Sequence, residues 1–176
     1  MKTSLIALLV SLCLLAGTAS AEFGIGASVG YVTLEDSAED LEFEGTDTGY
    51  KVFANWMFND YIGIEGGFVD FGAPDDDIED LLSEIDANGW NAYIVGNIPL
   101  GDYFDIFAKV GAIGWEADTS IEGVLVGTDD GTDLAASVGL RLNLGDHFGI
   151  RGELDWYDVS EADTAWMAGV GIEFRF

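Results

Sequence analysis

Thr164-Ala165-Trp166-Met167-Ala168-Gly169-Val170-Gly171-Ile172-Glu173-Phe174-Arg175-Phe176 carries the pattern that decides the fold. Every second residue counted back from Phe176, namely Phe174, Ile172, Val170, Ala168 and Trp166, is apolar, with aromatics at both ends of the run. The interleaved set is Arg175, Glu173, Gly171, Gly169, Met167 and Ala165. Strict period-two alternation is the signature of a strand with one apolar face and one polar or small face. A soluble strand usually runs about 5 to 6 residues, whereas a tilted strand that crosses a bilayer needs about 9 to 11. This run is long enough to cross, and its aromatics fall where the two lipid–water interfaces would lie.

The other end of the chain says how such a strand would reach a membrane. Lys2 precedes an apolar run from Leu5 to Ala16, and Ala19-Ser20-Ala21 supplies small residues at a cleavage position, the pattern of a secretory signal peptide. Residues 1–21 are expected to be removed, leaving 22–176 as one domain. The apolar run falls short of the about 20 residues a transmembrane helix needs, and no later stretch approaches it. A mature chain that spans a membrane must therefore span with strands. Cys13, the only cysteine, leaves with the signal, and Leu12 before it is unsuited to lipidation. The mature chain has no disulfide to staple it. With 33 acids against 6 Lys and Arg, a formal net charge of −27 over all 176 residues, the chain lacks the basic patch that nucleic acid or an anionic surface would need. Abundant glycine, apolar and aromatic residues argue against disorder.

The terminal pattern recurs along the chain. Alternating strands are expected at Phe23–Val32, Gly49–Phe58, Tyr61–Phe71, Asn88–Ile98, Tyr103–Trp115, Thr132–Leu144 and His147–Tyr157, which with the terminal run makes eight. Tight turns at Asn59-Asp60, around Gly101 and at Gly145-Asp146 alternate with long acidic loops at 34–47, 72–87, 116–131 and 158–163. The spacing of Ile78, Leu81, Leu82 and Ile85 predicts a short amphipathic helix between Asp75 and Ala87. Eight antiparallel strands joined in this way are read as an all-β, up-and-down transmembrane barrel, which leaves no unpaired edge in lipid. Its short turns would be periplasmic and its long loops extracellular.

Charge placement supports that register. Lys51, Lys109, Arg141, Arg151 and Arg175 all fall on the inward parity, as do Glu65, Asp105, Glu153 and Glu173. Treating each base as a coin toss on the strand alternation gives odds of about one in thirty. An eight-stranded barrel is filled by side chains, and an unpaired charge inside it is costly, so these nine residues are expected to form an internal ion-pair network. That network reads either as a plug or as a gated ion path through rearranging pairs. Nearly all the remaining acids lie in the loops: seven in 34–47, eight in 70–86, six in 116–133 and four in 155–163. They read as a solvated, self-repelling surface. Asp75-Asp76-Asp77 and Asp129-Asp130 are weak candidates for divalent cations, their spacing fitting no EF-hand. No cofactor is expected.

With that register, Tyr61-Ile62-Gly63-Ile64-Glu65-Gly66-Gly67-Phe68-Val69-Asp70-Phe71-Gly72 resembles the third strand of the OmpA-like small outer-membrane barrels. Gly49-Tyr50-Lys51, Asn97-Ile98-Pro99-Leu100 and Phe107-Ala108-Lys109-Val110-Gly111 resemble that family as well. The resemblance implies an eight-stranded barrel with interior salt bridges, in which Glu65 stands for the family's strand-three glutamate, Lys109 for its strand-five lysine and Arg151 for the arginine partner. It implies the barrel domain without the peptidoglycan-binding domain of larger members. The outward Phe174 and Phe176 resemble the C-terminal signal read by the barrel-assembly machinery. Outer-membrane lipid and lipopolysaccharide are the other partners implied, around a monomer.

Some eight-stranded barrels are enzymes acting on lipid A, but a hydrolytic triad needs a His beside its Ser. His147, the only one, falls at a turn, away from the inward Ser28 and Ser137. Metal hydrolysis lacks a His cluster. The sequence therefore reads as a non-enzymatic structural or surface barrel, with a narrow pore or a ligand- or cation-binding barrel as the alternative. A soluble carrier barrel would turn the apolar parity inward. Aromatics at the strand ends and every base on the other face oppose it.

Overall fold

The computed structural model describes the backbone of residues 21–38, 41–72, 75–78, 81–121, 124–159 and 162–176, and the side chains of 21–33, 47–72, 87–118, 127–158 and 165–176. Among the described residues there are nine strands: β1 (Glu22–Ala38), β2 (Leu41–Met57), β3 (Ile62–Asp70), β4 (Asp75–Ile78), β5 (Leu81–Pro99), β6 (Phe104–Ile121), β7 (Val124–Leu144), β8 (Phe148–Val159) and β9 (Ala162–Arg175). Eight form a ring in the order β3-β2-β1-β9-β8-β7-β6-β5, closed by β3 pairing with β5, and β4 is a short extra strand on β5. All pairings are antiparallel, and β1 meets β9 from Gly24↔Arg175 to Glu35↔Thr164. Closure satisfies the backbone groups that an open sheet would leave bare.

The alternation seen in the sequence becomes two surfaces. On β9, Ala165, Met167, Gly171 and Glu173 are buried while Trp166, Ala168, Val170 and Ile172 are exposed. Ile94, Leu140 and Ile172 are 59%, 56% and 66% exposed, whereas Lys51 and Glu173 are each 1% exposed. The barrel is thus inverted relative to a water-soluble one, with its greasy side chains outside. Phe23, Phe148, Phe174 and Phe176 cluster on the outer wall at the short-turn end, with ring centroids 4.9–5.8 Å apart. Tyr31, Tyr50, Trp90 and Trp166 stand out toward the opposite end.

The short turns lie where expected. Asn59 Oδ1 accepts from the backbone N–H groups of Tyr61 and Ile62 at 2.8 and 2.9 Å, closing β2 onto β3. Gly101 and Gly145 take φ of 83° and 78°, a left-handed conformation that glycine adopts without strain.

At the other end the structure corrects the sequence reading. The helix expected between Asp75 and Ala87 is a hairpin: Asp75–Ile78 pairs with the first residues of β5, from Asp75↔Glu84 to Ile78↔Leu81. β5 meanwhile pairs with β6 from Ser83↔Ile121 onward. A helix of a dozen residues is marginal alone in water, whereas β6 offers a row of free backbone partners beside this segment. For the same reason much of the stretches read as loops continues the strands, β1 reaching Ala38 and β7 beginning at Val124.

Inside the ring, charged side chains occupy the middle and the short-turn end. An apolar layer that includes Val32, Val69, Ile113, Tyr157 and Met167 fills the part toward the long hairpins.

Candidate functional site

The site is the charged lumen. Strand parity aims Lys51 from β2, Glu65 from β3, Asp105 and Lys109 from β6, Arg141 from β7, Arg151 and Glu153 from β8, and Glu173 from β9 to the interior, where each is more than nine-tenths buried. Glycines make room for the bulk. A Cβ on Gly26 would fall 2.2 Å from the Phe53 ring, and one on Gly139 would fall 2.3 Å from the Phe107 ring. Those two rings in turn hold the guanidinium of Arg151 between them, 4.1 and 4.6 Å from their centroids.

The ion pairs join into one chain along the lumen. Lys51 binds Asp155 Oδ2 at 2.7 Å and also Glu153. Glu153 is shared with Lys109, and its other oxygen meets Arg151 Nη2 at 2.6 Å. Glu65 bridges Lys109 at 2.7 Å and Arg151 at 2.8 Å. Glu173 then links Arg151 at 3.4 Å to Arg141 at 3.0 Å. Arg141 Nε donates to Asp105 at 2.9 Å, and Asn143 donates to the same carboxylate oxygen at 3.1 Å. Four cations and five carboxylates are connected without a break. Shared carboxylates are what such burial requires, because a charge taken out of water is tolerable only with good geometry and its remaining hydrogen bonds filled.

Two differences from the sequence reading stand out. Arg175 is not brought to the others: it pairs with Glu22 at 3.3 Å at the short-turn rim. Asp155, counted with the loop acids, is instead 1% exposed and belongs to the lumen. Its parity with Arg151 and Glu153 was the signal that could have found it. Below Asp105 and Arg141 the lumen opens into a cavity of about 230 Å³ toward the short turns, lined also by Asn97, Asn143 and Arg175.

Phe174 packs edge-on against Phe148 and Phe176, at 4.9 Å from each. His147 stacks on Phe174 and lies exposed at the rim, while Ser137 is buried in the lumen wall. Among the described residues no group of three or more His, Cys, Asp or Glu is placed to hold a metal ion. The side chains of Asp75, Asp76 and Asp77 lie outside the described set, and Asp129 and Asp130 are exposed.

A closed ring with an apolar exterior, aromatics toward both ends and charge sealed within defines a transmembrane β-barrel. The chain belongs to the outer membrane protein beta-barrel domain family, whose profile matches residues 4–176. It is therefore an outer-membrane protein, and the OmpA-like resemblance read from its sequence holds. Among solved structures it is similar to Neisserial surface protein A, with 8% identity, a TM-score of 0.74 and coverage of 88% of this chain and 97% of that one. The N-terminal barrel domain of Pseudomonas aeruginosa OprF matches at 15% identity and a TM-score of 0.65, covering 89% and 100%. The attachment invasion locus protein Ail of Yersinia pestis, solved with the heparin analogue sucrose octasulfate, matches at 18% identity and a TM-score of 0.63, covering 89% and 99%. These likenesses are of fold. No curated protein matches the chain in sequence.

Proposed function

We propose that this protein is a non-enzymatic structural and surface barrel of the outer membrane, with a lumen plugged by its own side chains and acidic hairpins turned to the exterior. The observation that carries the reading is the unbroken chain of nine buried charges, in which every carboxylate is held by a cation. These charges fill the middle of the lumen and satisfy one another, so this part of the bore is packed with side chains. Planar-bilayer recording on refolded protein tests this: the plug predicts no discrete conductance in any salt, and stepwise openings in the native protein would overturn it.

A gated narrow pore is the second reading. It is favoured by Glu65, whose two oxygens serve Lys109 and Arg151 separately, so that partner exchange needs only small movements. The same recordings decide between the two.

The hairpins set the surface chemistry. Segments 34–47, 70–88, 116–133 and 155–163 contain no Lys, Arg or His. Ail was solved with a sulfated ligand, but an acid-only rim repels such an anion, so we do not extend that ligand to this protein. Residues 1–21 are proposed to leave as the signal peptide, in keeping with β1 starting at Glu22. Phe174 and Phe176 are proposed to mark the strand read by the assembly machinery. The barrel is proposed to be a monomer bathed in outer-membrane lipid and lipopolysaccharide.

A further inference from the structure

Toward the long hairpins the lumen changes chemistry. A continuous apolar layer takes residues from seven of the eight ring strands, among them Val32 of β1, Val69 of β3, Ile113 of β6, Tyr157 of β8 and Met167 of β9, with none more than 8% exposed. The eighth strand, β2, passes this layer as Gly49, where a Cβ would fall 2.8 Å from Val32 Cγ2. The layer also closes across the bore. Phe71, at the end of β3, meets Tyr157 of β8 edge-to-face with centroids 5.1 Å apart, and β3 and β8 are diametrically opposite in the ring. Its height is fixed by neighbours in the chain: Val32 follows the outward Tyr31, Met167 follows the outward Trp166, and Gly49 precedes the outward Tyr50. The layer thus lies level with the outer aromatic belt, directly beyond Lys51 and Asp155.

From this geometry we infer that the barrier to ion passage is the apolar layer, with Phe71 and Tyr157 as its closing contact, and not the ion-pair chain. The inference rests on the reading of a closed lumen and says which part closes it. A permeant ion among the pairs finds charged groups to replace its water. In the layer it finds mostly hydrocarbon and ring faces, the Tyr93 and Tyr157 hydroxyls and the Asn91 amide being the polar groups among them, and it would have to shed hydration with no charged partner in return. Breaking a pair therefore leaves the lumen shut, whereas removing the rings or making the layer polar admits water and then ions.

Ion flux into liposomes tests this with three proteins, each first shown to be folded by its altered gel migration without heating. Phe71→Ser with Tyr157→Ser is expected to raise flux at least about tenfold over the native barrel, and Glu65→Gln with Lys109→Met to leave it at the native level. Should the ring variant not fold, the near-isosteric Val32→Thr with Val69→Thr serves in its place. Flux through the ion-pair variant while both rings remain overturns the inference. So does a folded layer variant that stays as tight as the native protein. Native protein that conducts on its own would instead sink the closed-lumen reading beneath it.

Discussion

Glu173 sits between two arginines that the register sets directly opposite each other, Arg141 on β7 and Arg151 on β8. Like charges so placed repel, and each Glu173 oxygen takes one of the guanidiniums. Glu173→Gln should cost about 3–5 kcal/mol of unfolding free energy in a urea titration, the usual result of stripping one partner from a buried pair. Asp105→Asn should cost less, because Arg141 keeps Glu173. Gly26→Ala and Gly139→Ala should each cost about 1–3 kcal/mol in the same titration, since the added methyl meets the Phe53 and Phe107 rings and neighbouring backbone carbonyls. Residue parity was legible from the sequence because side chains alternate along any strand. Pairing was not, because alternation gives the face and not the height. The tilt of closed strands sets heights, so Arg175 falls at the rim with Glu22 and Asp155 reaches Lys51.

The elements obey two regimes, one within lipid and one beyond it. Val138 and Leu144 both face outward on β7, at 56% and 52% exposure, but Leu144 adjoins the Gly145 turn. Val138→Arg should therefore destabilise the barrel by about 2–4 kcal/mol and Leu144→Arg by about 0–1, read from unfolding in bilayers. Within the bilayer the strands were legible, since lipid outside and a packed lumen inside force a strict two-residue period. Beyond it water wets the wall, the period lapses, and acids with Thr and Gly read as loop although the ladder continues. The segment 81–87 shows this best: its apolar spacing mimics a helix, yet β4 and β6 flank it on both sides. Backbone chemical shifts for 81–87 should be extended, and helical shifts there would contradict the fold described.

For the whole molecule, everything follows from one orientation: apolar side chains to lipid, charges enclosed. Closure makes that arrangement self-consistent, since the eight-stranded ring has no open edge and, among the described residues, each buried Lys and Arg has an anion beside it. The one cysteine of the sequence, Cys13, lies in the segment proposed to leave as the signal peptide, so single cysteines introduced within residues 22–176 report position cleanly. Spin labels placed one at a time from residue 132 to 144, in protein reconstituted into lipid, can be probed for collisions with oxygen dissolved in the bilayer. The account predicts a two-residue alternation in oxygen accessibility, high at Leu134, Val138 and Leu140 and low at Ala135, Ser137 and Arg141. Uniform accessibility, or maxima on the charged parity, would contradict it.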